Sequence, residues 1–390
     1  MRHYSEVKGK ALAFLSLLWC VWFFNVSGRL IYTPILPMIE DEFMLTHFRA
    51  TSIFLSQSIG YALGVILSGF YAGRIGFKKT IVISLGVMAC TSFLIPFTKI
   101  FSLFYPILFV VGFFAGIYVP AIMPLIREHF GEKNLGRVIS IYDSAASVAI
   151  FSIPLFAFFL LRFLQWREIF YVVGIALLSI CVFFAFAGEE LKANQPHKAV
   201  LKELISRKPL WVLMVMLSLA MGANMGIYNI LPLFLTKELS LGIGHANSLL
   251  GISRLGGIGV AILCGFLIDR FDLGKIMFTL MIVSGILTIF LGTASTARIG
   301  ILLLFQAIFI TAIIPIGFVC IARLFNRETM SMAVGIIMPL GTLFGSGLIP
   351  YFLGLSGDLL SFRFGIVTLG ILLTLTSWFA LSLKNPEAST

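Results

Sequence analysis

The chain has 390 residues, of which 59% are hydrophobic and only 12% charged, and its mean hydropathy is +1.04. A soluble domain carries about 25% charged residues, so the composition excludes a water-soluble fold and describes a chain that crosses the bilayer many times. The net charge of +11 does not point to nucleic acid, because no basic–aromatic cluster lies outside the apolar runs; it follows from lysine and arginine gathered in alternate loops.

A helix needs about 20 apolar residues to cross the bilayer. In chain order the predicted spans are 11–38, 48–71, 79–97, 102–125, 137–160, 168–187, 209–235, 246–268, 275–294, 299–322, 331–354 and 361–382, numbered spans 1 to 12 below. The first run is too long for a signal-peptide core and lacks a small-residue cleavage signal, so it is expected to stay as span 1. The polar stretch "GEELKANQPHKAVLKELISRK" (188–208) follows span 6 and is expected to link two domains, 1–187 and 209–390. The five cysteines all fall in apolar runs and predict neither a disulfide nor a metal site.

Lysine and arginine are unevenly divided between alternate loops. Nineteen fall on the side of the N-terminus and seven on the other, with Arg29 and Arg254 left inside spans. The positive-inside rule then places both termini and the linker in the cytoplasm. The compact length and short loops suggest a bacterial inner membrane.

The two halves resemble each other. "GFYAGRIGFKK" (69–79) follows span 2 and "GFLIDRFDLGK" (265–275) follows span 8, at an offset of 196 between Gly69 and Gly265. "YTPILPMIEDEF" (32–43) likewise matches "IYNILPLFLTKEL" (227–239), aligning Pro37 with Pro232. A duplicated helical unit is a common transporter construction.

On these residues the chain resembles the major facilitator superfamily along essentially its whole length. The family's signature between spans 2 and 3 reads G-x-x-x-D-R-x-G-R-K. Here Gly69, Arg74, Gly76 and Lys78 match, while Gly73 and Phe77 replace the aspartate and the second arginine. The second copy keeps Gly265, Asp269, Arg270 and Lys275. The resemblance implies an all-α polytopic membrane protein: twelve transmembrane helices in two pseudo-symmetric six-helix bundles that rock around a central site. It implies a transporter and not an enzyme, with no cofactor. No Walker A sequence, HExxH or GxSxG is present, so an ion or substrate gradient is expected to drive transport.

Arg29 lies nine residues before the outer end of span 1, and Arg254 eight residues after the outer start of span 8. At 1.5 Å per residue both are about 12–14 Å deep. An intramembrane charge is expensive and marks function by default. Arginine stays charged and offers a planar fork suited to carboxylate or phosphate. An anion bound by both arginines would relieve repulsion and desolvation together; the bland alternative is that each pairs with Asp143 or with carbonyls at a helix break. Organophosphate antiporters of the superfamily carry a substrate-binding arginine in span 1, eight residues before a proline. Arg29 and Pro37 match that spacing. Their second arginine is in span 7, where Asn224 stands here; a second arginine on span 8 is more like nitrate or oxalate carriers.

Asp143, inside span 5, is a candidate proton-coupling residue, a fixed counter-ion or a packing contact. Asn25, Arg29 and Tyr32 are spaced i, i+4, i+7 and are expected on one face. Gln57 with Tyr61 on span 2, and Asn224 with Tyr228 on span 7, form similar pairs, and Tyr118, Tyr142 and Gln306 are looser candidates. "PAIMP" (120–124) and Pro315 are expected to kink spans 4 and 10, and "GTLFGSG" (341–347) to pack closely in span 11.

The reading is a secondary active transporter for a small, carboxylate-like organic anion, proton-coupled or exchanging, with substrate contacts from Arg29, Arg254, Asn25, Tyr32, Gln57, Tyr61, Asn224 and Tyr228. Gly69, Arg74, Gly76, Lys78, Asp269 and Arg270 form the conformational motif. Its partners are the anion, protons and the lipid bilayer, without nucleic acid, and a monomer is expected. The alternatives are a drug or metabolite efflux pump, which would favour an aromatic cavity with embedded acids, and a non-transporting membrane ligand sensor.

Overall fold

The computed structural model describes residues 9–190, 205–257, 272–325 and 327–382. The described secondary structure is entirely helical. Backbone N–H and C=O groups in hydrocarbon find no water, so each segment must satisfy its own, and an α-helix does so within one segment. Among the described residues, eleven helices are long and apolar enough to cross a membrane. The twelfth predicted span, span 8, is described only at its start, as Ile243–Ile252 and the turn that follows. Gly259, Cys264, Gly265, Asp269 and Arg270 lie outside the described residues, as does most of the linker.

One predicted loop is helical instead. The backbone stays helical from Phe104 to Leu160, a run that holds two spans, Phe101–Phe130 and Asn134–Leu160. The intervening "IREHFGEKNLGRV" has no proline, so its backbone can keep helical hydrogen bonds although Gly131, Asn134 and Gly136 are weak helix formers. Pro120 and Pro124 lie inside this helix, and Pro315 inside Ile299–Leu324.

Two compact units are present. One comprises Met1–Ile35 with Ser56–Pro196, the other Leu36–Leu55 with His197–Thr390. In the first, spans 2 and 4 meet backbone to backbone. A Cβ at Gly60 or Gly64 would strike the carbonyls of Phe109 and Phe113, and one at Gly112 or Gly116 those of Gln57 and Tyr61. Two small-xxx-small pairs therefore interlock, which is how helices approach closely where lipid offers no hydrophobic drive.

In the second unit the close crossing joins spans 7 and 11. Each contains a π-helical turn, Gly222–Gly226 and Leu343–Leu348. A Cβ at Gly226 would lie 2.7 Å from the Gly345 carbonyl, so the glycines of "GTLFGSG" serve close packing. The segment 36–55 is bound into this unit by polar contacts. Asp358 accepts the backbone N–H groups of His47 and Phe48, both at 2.9 Å. Lys237 pairs with Asp41 and Glu40, and Glu40 also meets the His47 ring at 2.8 Å.

Candidate functional site

The first unit sets Arg29 on span 1 over the ring of Tyr61 on span 2, with the guanidinium carbon 4.6 Å from the ring centroid. Gln57, one turn before Tyr61, donates to the Arg29 backbone carbonyl at 3.1 Å. The glycine crossing of spans 2 and 4 fixes the backbone at both residues. Both Arg29 and Tyr61 stay half-exposed. Among the described residues the Arg29 guanidinium has no hydrogen bond and no carboxylate partner.

Asn25 and Tyr32 do not join this cluster. Asn25 is fully buried and its amide reaches the Met88 sulfur at 3.6 Å. Tyr32 is fully buried with its ring 5.0 Å from that of Phe170. Asn25 shares the helix Lys10–Leu30 with Arg29 but turns its side chain to Met88, whereas Tyr32 lies beyond the turn at Ile31 and opens the next helix. Pro34 has no N–H to offer the Leu30 carbonyl, so the i, i+7 register does not carry across.

Asp143 is exposed on span 5 and forms no ion pair among the described residues. The indole Nε1 of Trp22, on span 1, is buried and has no hydrogen-bond partner among the described residues. The Trp22 ring lies nearly parallel to two tyrosines, 5.4 Å from Tyr118 and 5.9 Å from Tyr142. Those two are buried and joined by a hydrogen bond of 2.9 Å between their hydroxyls. In the sequence Trp22 precedes Arg29 by seven residues, two helical turns, and so shares its face.

The second unit holds Arg254 differently. It is only 6% exposed. One terminal nitrogen donates to the Asn224 side-chain oxygen at 2.6 Å and the other to the Asn224 carbonyl at 3.3 Å. The guanidinium carbon stands 4.9 Å from the Tyr228 ring centroid. Asn224 sits in the π-helical turn of span 7, whose wider winding disturbs the usual carbonyl pairing. Gln306 serves the neighbouring Ala223 carbonyl at 2.8 Å. Of the five N–H donors of a guanidinium, three remain on Arg254, and its buried Nε has no partner. Among the described residues no acid neutralises it.

The signature loop is described in part. Gly76 has φ +88°, so its backbone favours glycine, while the nearest neighbour a Cβ would meet is the movable end of the Glu190 side chain. Gly69 lies within the helix His47–Ile75, which ends just after Arg74, and Lys78 opens the next helix, Phe77–Leu94.

Residues 18–304 match the profile of the Major Facilitator Superfamily. The chain belongs to that superfamily. It is similar to the "Putative niacin/nicotinamide transporter NiaP" of Bacillus subtilis, 27% identical over 187 residues, 48% of this chain and 45% of that one. The chain thus spans less than half the length of that relative. It is also similar to the "Uncharacterized transporter YybO" of the same organism, 25% identical over 85% of this chain and 83% of that one. Among solved structures, a bacterial homolog of the human lysosomal transporter Spinster, inward-facing, superposes with a TM-score of 0.79 at 14% identity, covering 95% of this chain and 96% of that one. That likeness shows the fold. This superfamily member is therefore an all-α integral membrane protein of the transporter class, and not an enzyme.

Proposed function

We propose that this superfamily member is a secondary active transporter for a small, carboxylate-like organic anion, working by alternating access in a proton-coupled or exchange mode. The observation that carries the reading is the unmatched guanidinium of Arg254. It is buried, undersupplied with acceptors and without an acidic neighbour among the described residues. Leaving such a charge uncompensated costs several kcal/mol, and a bound anion offers the missing acceptors in bidentate geometry. Arg29, equally without an acid, gives the other half a second anion hook. Niacin, named for one relative, is a carboxylate on a flat ring, which agrees with this chemistry. A bacterial inner-membrane location with both termini cytoplasmic, and a monomeric carrier, complete the reading.

The test is uptake into liposomes of carboxylates, sulfonates and phosphates, with and without a pH gradient. Wild-type protein should carry a carboxylate, and Arg29→Gln and Arg254→Gln should each abolish uptake. If both variants keep anion uptake, the arginine reading is wrong. If cationic dyes move and no anion does, the protein is an efflux pump.

A further inference from the structure

Asn224 holds Arg254 without cancelling its charge. The two residues are buried together, each 6% exposed. Arginine has donors only, so the amide must turn its oxygen to the guanidinium, and it does so at 2.6 Å. The Asn224 backbone carbonyl takes the other terminal nitrogen at 3.3 Å. One residue thus accepts from both terminal nitrogens, the head of the fork. The edge that carries Nε is left over, and Nε has no partner. The Tyr228 ring, 4.9 Å from the guanidinium carbon, offers the cation a π face, which carries no formal charge either.

The backbone around Asn224 is held on two sides. Gly226, in the same π-helical turn, packs against the Gly345 carbonyl of span 11. Gln306 of span 10 donates to the preceding carbonyl, that of Ala223, at 2.8 Å. Acids of this unit pair elsewhere, at helix ends: Glu40 and Asp41 with Lys237, and Glu238 with Arg363. A carboxylate in place of the amide would have the same shape and would turn the same oxygen to the arginine. It would close a buried ion pair, and Arg254 would no longer need an anion from outside.

Resting on the anion reading above, we propose that Asn224 is a positioning residue that sets the charge of the substrate. It aims the Nε edge of Arg254 and, being neutral, leaves the site one negative charge short. This role differs from the substrate contact expected of Asn224 from the sequence, because its side-chain oxygen is spent on the arginine.

The experiment is thermal unfolding in detergent, with and without ligand, beside uptake into liposomes. The probe is whichever of lactate, succinate and benzoate the wild type takes up fastest, set against its own primary amide. Wild-type protein should bind the carboxylate about 30-fold more tightly than the amide, the size of one hydrogen bond to a charged group. Asn224→Asp should bring the two to within about threefold and stop carboxylate uptake, while melting at or above the wild-type temperature. Asn224→Ala should keep the preference, since the arginine stays cationic, but bind the carboxylate about tenfold more weakly, since the fork is no longer aimed. An Asn224→Asp protein that keeps the wild-type preference overturns the inference while the anion reading stands. So does one that melts well below wild type, because its carboxylate has then not paired with Arg254. If Asn224→Ala loses the preference as Asn224→Asp does, Asn224 contacts the substrate itself and the inference is wrong. Should Asn224→Ala not fold, Asn224→Asp against wild type decides the matter. Wild-type protein that takes up none of the three carboxylates but moves cationic dyes overturns the anion reading beneath.

Discussion

Arg29 and Arg254 answer the same question in two ways. Pro37 and Pro232 align the halves at an offset of 195, which puts Asn224 at the place of Arg29. In both halves the backbone carbonyl at that place accepts a side-chain donor from the following span. In the first unit the donor is Gln57, and Arg29 keeps its guanidinium free over Tyr61. In the second the donor is Arg254 itself, which also takes the Asn224 side chain and lies against Tyr228. The two halves thus carry their arginine on different helices, span 1 in one and span 8 in the other. The consequence is a difference in how each is held: the Arg254 guanidinium is bonded into the fold, while among the described residues the Arg29 guanidinium makes no hydrogen bond.

The sharpest way to break this comparison is Arg254→Gln. Its removal strips a buried charge-assisted hydrogen bond and leaves the Asn224 carbonyl without a donor. Bonds to charged groups contribute about 1.5–3 kcal/mol each, so we expect anion uptake to fall by at least about 100-fold and thermal unfolding in detergent to shift down by several degrees. Arg29→Gln should cost a similar factor in uptake yet leave the unfolding temperature where it was. Parallel unfolding losses in the two variants would dissolve the distinction. Arg29→Lys should recover part of the uptake, since the charge stays and only the fork is lost; Arg254→Lys should recover less, because one ammonium cannot replace a planar group that touches both oxygens of Asn224 while lying on a ring.

Packing gives the next largest effect. Gly60 is 196 residues before Gly256, and each meets a neighbouring helix. Gly60 meets the backbone of Phe109, but Gly256 meets the side chain of Ile308. A side chain can turn aside and a carbonyl cannot. Gly60→Ala should therefore lower the yield of folded protein and its unfolding temperature well below those of Gly256→Ala, as read by size-exclusion and thermal melts of the two proteins. Equal losses would show that the interlocked glycines of spans 2 and 4 are not what holds the first unit.

Much of the fold was legible in the chain, because apolar length and a bilayer's thickness admit few alternatives, and the repeat showed itself in proline and glycine offsets. The arginines were legible for the same reason: a charge in an apolar run stands out. Their surroundings were less so. The Arg254–Asn224 bond depends on a π-helical turn, which no periodicity of 3.6 reveals. Tyr32 was placed beside Arg29 by counting through a helix that Pro34 interrupts. Trp22 carries no signal in the chain because an aromatic residue among so many does not announce a role; only its buried, unpaired indole N–H separates it from the rest. Likewise, no pattern in the chain couples 36–55 with residues 196 and 311 positions away.

That last coupling supplies the smallest expected effect. The helix that begins at His47 has four N–H groups without partners in its own first turn. Asp358, from span 11, accepts two of them, and Thr46 accepts from Arg49 at 3.3 Å. Because Thr46 provides a second acceptor and Asp358 is exposed, Asp358→Ala should cost about 1 kcal/mol or less, seen as a shift of a few degrees in melting. Unlike Arg29→Gln, it should leave the order of anion preference untouched, because Asp358 binds a helix end and not a substrate. If Asp358→Ala instead changes the rate of exchange with little change in melting, the contact between the two segments governs conformational turnover more than stability. The loss of a cap on an exposed helix end would then matter for how the protein moves.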